Sequence, residues 1–383
     1  MIHAKPSINW GQFLSRHDLM WTKMPAEWYQ APFLGNGMMG TMVRQTGTKT
    51  VRWDVGRGDV QNHRRGPNLS GVSRLPIGYF ELHTVGEIRS GDMRLDLWNA
   101  EAVGTIQTEK GSIRWRSFVH ADLMVIVTEI EPTEGERECR WQWNPEKAIC
   151  PRLHYQKISD YQPNPPFTQE EDGEVQITVQ PLTEGGETVT AWQILKKDGK
   201  TRLFVSVAHS YPEAAAQKEA VELIRRVRVM SMNALTRSHR EWWHAYYPVS
   251  FVSLPDTWWE SFYWVQMYKL AAGTRADRML LDLQGPWPQP TPWPACWWNL
   301  NIQLTYWATC SSGRLDIGDS LCRAIYGNVH NLIENVPDQY QADSAGVGRV
   351  SGQHCISSTV CVPGSNRAEF GNLLWACHNC WLH

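Results

Sequence analysis

Asn299, Asn301 and Gln284 are amide side chains set among tryptophans in the stretch from Leu281 to Cys310, LDLQGPWPQPTPWPACWWNLNIQLTYWATC. An amide offers two N–H donors and one acceptor oxygen but is not basic near neutral pH. It can orient a water or a hydroxyl, and needs a carboxylate behind it to activate one. Trp287, Trp293, Trp297, Trp298 and Trp307 add large apolar faces, each with a single N–H donor. Such faces beside amides suit a ligand with apolar C–H surfaces and a polar rim, which is the shape of a sugar. Taken singly, a tryptophan is more often core than ligand platform. Trp287, Trp297 and Trp298 are the candidates for stacking, Trp298 foremost. Gln284 either donates to a sugar hydroxyl or holds the loop backbone.

The surrounding chain decides where these groups point. Pro286, Pro288, Pro290, Pro292 and Pro294 remove backbone donors and push each preceding residue toward extended geometry, so this run is neither helix nor central strand. A helix-compatible segment follows from about Leu300 to Thr309. On a continuous helix, residues at i and i+2 face opposite sides. Asn299 and Asn301 therefore converge only where Asn299 sits at or before the first turn, which the proline run favours. From the residues alone, the favoured reading is Asn299 as an N-cap and Asn301 as a residue packed on a loop.

The chain has 383 residues, 42% of them hydrophobic, enough for substantial cores and for two domains. The net charge is −2 and the 37 basic residues are scattered, so a nucleic-acid partner has no electrostatic basis. The start, MIHAKPSINWGQFLSRHDLMW, has no basic cluster followed by an apolar run, and no uncharged apolar run reaches about 18 residues. No membrane partner and no export signal are expected; the compartment is read as cytoplasmic or left open. Nine cysteines, single apart from one C-x-x-C, favour a reducing compartment. Cys377, His378, Cys380 and His383 have zinc-ligand chemistry, but they lie in an apolar helical pattern, LLWACHNCWLH, without a second C-x-x-C. No metal and no cofactor is expected. A G-x-G-x-x-G segment, a P-loop and G-x-S-x-G are absent from the sequence, which removes dinucleotide, nucleotide and serine-hydrolase readings.

From about residue 30 to 210 short apolar or alternating runs are broken by Gly, Asn, Asp and Pro. The clearest are 40–43, 78–83, 104–107, 113–119, 124–129, 175–179 and 203–208. Many strands without intervening helices imply antiparallel sheets in a large sandwich. The polar, Pro-rich 161–173 reads as a surface loop. From Glu213 to Tyr246 the period becomes helical, with Val221, Ile224, Val227, Met230 and Ala234 in step, as one long helix or two. Pro248 and Pro255 interrupt. Asp256 then caps a helix over 257–272 whose aromatics lie all round it, which predicts burial on most sides. Further helices are expected over 300–309, 317–335 and 369–383. Asp316 and Asp319, beside Arg314, read as helix start and surface. The predicted organisation is therefore β then α: a sandwich over 1–210, a helical linker over 211–254 and an all-helical part over 255–383.

Several segments, in order, resemble glycoside hydrolase family 95, the inverting α-L-fucosidases and α-L-galactosidases. Trp28 and the run Pro32-Phe33-Leu34-Gly35-Asn36-Gly37-Met38-Met39-Gly40 resemble that family's tryptophan followed by P-L-G-N-G-x-x-G. Leu75 to Phe80 resembles Q-P-L-G-D-L, and 94–100 with 111–119 resembles the hairpin after it. Leu283-Gln284-Gly285-Pro286-Trp287 resembles N-L-Q-G-x-W, Trp298 to Trp307 resembles N-x-N-x-Q-x-x-Y-W, and 375–383 resembles a W-x-C-x-x-x-W-x-H-Y helix.

The resemblance implies an N-terminal antiparallel β-supersandwich, a helical linker and an incomplete (α/α)6 barrel, since a closed ring needs ~250 residues and 255–383 has room for about five helices. It implies an exo-acting glycoside hydrolase with a glycan or oligosaccharide substrate, and Asn299 and Asn301 as water-positioning residues. The glutamic general acid and the polarising aspartate of that family are expected beyond His383, so the chain is expected to be an incomplete, inactive fragment. His354, in GQHCISS, lies where the family has H-H-N-T-D and is read as substrate-binding with Gln284, Trp287 and Trp298. The second histidine and T-D are missing there, and Trp297 replaces a histidine before the N-x-N pair, so the sugar is left open. Two alternatives stay open with it: a family 65-like inverting phosphorylase, and a non-catalytic carbohydrate-binding or assembly module.

Overall fold

The computed structural model describes residues 8–64, 69–287, 289–357, 369 and 371–383. Pro288 of the proline run, Phe370 of the last expected helix and the first seven residues lie outside them.

Alternating side chains build the first half. In Gly78–His83 every second residue is buried, so one face meets the core. After a short helix α1 (Trp10–Leu14), the strands are β1 (Leu19–Trp21), β2 (Phe33–Gly35), β3 (Met39–Gln45), β4 (Thr50–Arg57), β5 (Gly78–His83), β6 (Ile88–Asp96) and β7 (Glu101–Thr108). Then come β8 (Ser112–Val119), β9 (Val125–Pro132), β10 (Arg140–Pro145), β11 (Thr168–Asp172), β12 (Val175–Pro181), β13 (Glu187–Lys197) and β14 (Lys200–Ser210). They form a nine-stranded sheet, β1-β6-β7-β8-β9-β14-β13-β12-β11, and a five-stranded sheet, β10-β5-β4-β3-β2, with antiparallel pairing throughout.

The two sheets pack face to face through tryptophans. Trp53 of β4 meets Trp115 of β8 edge-on at 5.6 Å, and Phe80 of β5 meets Trp192 of β13 at 5.7 Å. Many of the chain's tryptophans are thus sandwich core. The outer face of the large sheet is covered by α2 (Ala216–Val229), whose Ala220, Ile224 and Val227 pack on Val127, Val189 and Phe204. The helical segment after the sheet is two helices, because Ser231 breaks the run and caps α3 (Met232–Tyr246) by accepting from the Ala234 N–H at 3.1 Å.

Asp256 caps α4 (Thr257–Gly273) as its sequence predicts, accepting from the Trp258 and Trp259 N–H groups at 2.8 and 3.4 Å. The expectation that α4 is buried on most sides holds for its second half, with Trp264, Met267, Tyr268 and Leu270 buried. It fails on one side of the first half: Trp258, Trp259 and Phe262 are exposed, while Glu260 and Ser261 on the same turns face His17. The 161–173 loop ends in an exposed strand, β11. The segment 317–335 divides into α6 (Leu315–Gly327) and α7 (Val329–Glu334), preceded by α5 (Gln303–Ser311) and followed by α8 (Gly371–Leu382). Cys296–Trp297 and Val350–Ser351 form a small antiparallel pair, β15 and β16. Leu280, Trp298, Ile302, Tyr306, Leu321 and Ala376 form the core of this helical part.

The turn between β2 and β3 is the hinge point between sandwich and helices. Asn36 organises it: its Oδ1 accepts from the Met38 and Met39 N–H groups, and its Nδ2 donates to the carbonyls of His120 and Leu123. Gly37, at φ +86°, donates to the Ala272 carbonyl at 2.8 Å. At Gly35 a β-carbon would stand 2.4 Å from that same oxygen. The P-F-L-G-N-G-M-M-G run is therefore required where the sandwich presses on the end of α4.

Candidate functional site

A cavity of about 820 Å³ opens between the sandwich, α4 and the tryptophan loop. The sandwich contributes Trp28, Tyr29 and Phe33. From α4 come Phe262, Gln266 and Lys269, whose i, i+4, i+7 spacing places them on one face. The loop brings Asp282, Gln284, Trp287 and Gln289, and the start of α5 brings Asn301 and Thr305.

The loop is held by hydrogen bonds that its prolines do not need to supply. Asp282 Oδ1 accepts from the N–H groups of Gln284 and Gly285 at 2.8 and 2.7 Å, and its Oδ2 accepts from Arg74 at 2.7 Å. Arg74 also donates to the Gly285 carbonyl at 2.6 Å, so one sandwich residue pins both ends of the turn. Gln284 Nε2 donates to the Gln289 carbonyl at 2.8 Å, which is the loop-holding alternative for this side chain, while the residue still lines the cavity. Trp287 is 7% exposed. Its Nε1 donates to the Leu34 carbonyl at 2.9 Å, and its ring meets Phe33 edge-on. Leu281 N–H donates to the Tyr306 hydroxyl, itself hydrogen-bonded to Ser320 at 2.7 Å; burial pushes the Tyr306 pKa up to about 12, so it stays a neutral hydroxyl.

The N-x-N segment departs from a regular helix. Asn299 has φ −67° and ψ 108°, and Leu300 has φ 71° and ψ −50°, so the regular helix begins at Gln303 rather than at Leu300. The consequence is divergence. Asn301 is exposed and lines the cavity; Asn299 is exposed, is not among the lining residues, and hydrogen-bonds the Glu369 carboxylate. Burial pushes the Glu369 carboxyl up, but hydrogen bonds from Arg349, Asn372 and Asn299 outweigh it and hold its pKa below the usual range. Asn299 thus does have a carboxylate behind it, though turned from the cavity.

Two sequence candidates lie elsewhere. Trp298 is 0% exposed in the helical core, with its Nε1 donating to Ser351 Oγ at 2.7 Å. The β15–β16 pairing turns it inward, so it offers no face to a ligand. His354 packs near His63, ring centroids 5.5 Å apart, and near Tyr211 at the sandwich edge, away from the cavity. Trp297 pairs with Val350 and stands near Trp293. Among the described residues no group of three or more His, Cys, Asp or Glu is arranged to hold a metal ion, and no helix is long and apolar enough to cross a membrane.

Trp28, Phe262, Gln266 and Lys269 escaped the sequence reading. The i, i+4, i+7 spacing on α4 was the available signal for the last three; nothing local marks Trp28 beyond its place before the glycine-rich turn.

No protein-family profile matches the chain, and no curated protein matches it. A solved structure from the human microbiome, provisionally named a kojibiose phosphorylase, matches with a TM-score of 0.60 at 10% identity, covering 91% of this chain and 50% of its own. A family GH92 α-mannosidase from Bacteroides thetaiotaomicron gives 0.32 at 7% identity, covering 66% of this chain and 40% of its own, which is too distant to add to the comparison. The chain has the fold of the first neighbour, an antiparallel sheet region followed by helices, and spans about half of that protein's length.

Proposed function

We propose that this chain is the sandwich and first helical part of a carbohydrate-active enzyme, which holds the terminal sugar of a glycan in the cavity between sandwich, α4 and the 281–289 loop. One observation carries the reading: the cavity combines the rings of Trp28, Phe262 and Trp287 with the amides Gln266, Gln284 and Asn301. Apolar walls with a few convergent polar groups are what a sugar requires. The fold likeness supports the same class. The family 95 resemblance supports the finer reading, inverting hydrolysis of a terminal fucoside- or galactoside-type bond on an (α/α)6 barrel, with Asn301 in water positioning; Asn299, the other residue of that pair, is engaged with Glu369 outside the cavity.

Inversion needs a carboxylic acid and a base about 6.5–9.5 Å apart. Asp282 is the carboxylate lining the cavity, and its oxygens are occupied by Arg74 and two backbone N–H groups. A free carboxylic acid is therefore not among the described lining residues, and the chain by itself is expected to bind sugar without turnover. The name of the fold neighbour favours a second reading, phosphorolysis of the same bond.

Calorimetric titration of the chain with L-fucose, D-galactose, D-glucose and kojibiose tests the site, followed by incubation with aryl glycosides with and without phosphate. Binding that weakens in Asn301→Ala is the expected result. Failure of every sugar to bind overturns the site, and turnover of an aryl fucoside overturns the missing free acid.

A further inference from the structure

Lys269 differs from Arg74, the cation that holds the cavity's loop from the sandwich side and is paired with Asp282. Lys269 lines the cavity from α4, is exposed at its mouth, and among the described residues has neither an ion-pair nor a hydrogen-bond partner. The Phe33 ring centroid is 6.0 Å from Nζ, the outer limit of a cation–π contact, so its three N–H donors remain free. Burial of its surroundings holds its pKa below the usual lysine value.

We infer that the cavity takes an acidic saccharide, a sugar bearing a carboxylate or sulfate, with Lys269 as the counter-charge; the inference rests on the cavity being the sugar site. Charge number separates this from a free phosphate. Phosphate near neutral pH carries more than one negative charge and is ordinarily held by an arginine fork, several backbone N–H groups or a metal. Lys269 is the single cation lining the cavity among the described residues, and one ammonium matches a monoanion. Gln266, one turn earlier on the same face of α4, is placed to meet a neighbouring hydroxyl of the same sugar, while Trp28 and Phe262 supply the apolar walls.

The test is calorimetric titration of the full chain and its Lys269→Met and Lys269→Arg variants. The probes are methyl glucuronide, methyl galacturonide, galactose 6-sulfate, the matching neutral methyl glycosides, and inorganic phosphate. A charge-assisted hydrogen bond predicts that the wild type binds at least one acidic probe about tenfold more tightly than its neutral partner. That preference should disappear in Lys269→Met, persist in Lys269→Arg and shrink with added salt. Equal binding of acidic and neutral sugars, or a preference that survives Lys269→Met, overturns the inference and leaves the sugar site standing. Lys269-dependent binding of phosphate with no acidic-sugar preference overturns it in favour of a free anion. If no probe binds, the sugar-site reading fails as well.

Discussion

Arg74 of the sandwich and Asp282 of the tryptophan loop form an ion pair at 2.7 Å with side chains only 6% and 1% exposed. Removing one partner leaves the other charge buried and unpaired, which typically costs ~3–5 kcal/mol. Asp282→Asn and Arg74→Met are each expected to lower stability by that order. Replacing both together, Arg74→Met with Asp282→Leu, should cost less than the sum, because no orphan charge remains. Urea denaturation of the three variants checks this; an Asp282→Asn protein as stable as wild type would contradict it.

The glycine-rich turn makes a second, steric prediction. A β-carbon at Gly35 would sit 2.4 Å from the Ala272 carbonyl oxygen, a backbone atom that cannot swing aside. Gly35→Ala should therefore destabilise by about 1–3 kcal/mol through overpacking. It should also weaken sugar binding, since the turn backs the cavity through Phe33. Gly371→Ala is the control: among the described residues nothing lies within 4 Å of a β-carbon there. At that helix position it should be neutral or slightly stabilising. Equal melting temperatures for the two variants would contradict the close approach.

Buried histidines, His120 and His239 at the joint between sandwich and α3 and His63 beside His209 and Tyr211, make stability depend on pH. His239 is fully buried: its Nδ1 accepts from the Ala121 N–H and its Nε2 donates to the Asn99 carbonyl, an arrangement only the neutral ring can make. Burial holds His239 well below its ordinary value of 6.5, His120 at about 4 and His63 at about 3. Protonation therefore favours the unfolded chain. Their contribution is complete above about pH 6.5 and is lost as pH falls toward the folded values, at about 1.4 kcal/mol per pH unit for each group. Denaturation midpoints measured from pH 7 to pH 5 should fall steadily. His239→Leu should flatten that slope while lowering stability at pH 7, and an unchanged slope would show that the ring is not held neutral.

Where local pattern and tertiary environment agree, the sequence was readable. Alternation marked β5 because one face meets core and the other solvent. It failed for β13, where Glu187 to Gln193 are all buried between the opposing sheet and α2, so polar Thr188 and Thr190 lie inside. Asp256 was found because a cap is a local event. The site divides the same way. Gln284, Trp287 and Asn301 belong to one stretch with unusual composition. Trp28 meets them only because a turn 230 or more residues earlier packs on the end of α4, which no spacing in the sequence carries, whereas Lys269 shares a helical spacing with Phe262 and Gln266. Trp298 was misjudged for a related reason: a two-residue strand pairing with Val350 and Ser351 sets its direction, and so short a strand leaves no pattern.

The N-x-N pair gives the sharpest separation between holding the fold and holding a ligand. Asn301 is exposed, lines the cavity and has no hydrogen-bond partner among the described residues, so Asn301→Ala should change stability by less than ~0.5 kcal/mol. Sugar binding should nevertheless weaken, because its amide is the nearest of the pair to the cavity. Asn299→Ala removes a donor from Glu369 and should cost ~1 kcal/mol or less at so exposed a position. Trp298→Phe does the reverse of Asn301→Ala: it leaves Ser351 without its donor in a packed core and should cost about 1–3 kcal/mol without touching the cavity. Melting temperature and sugar affinity measured on all three variants separate the roles. If Asn299→Ala or Trp298→Phe abolishes binding while Asn301→Ala does not, the sugar lies against the β15–β16 side of the kink, and the cavity under α4 is not the site.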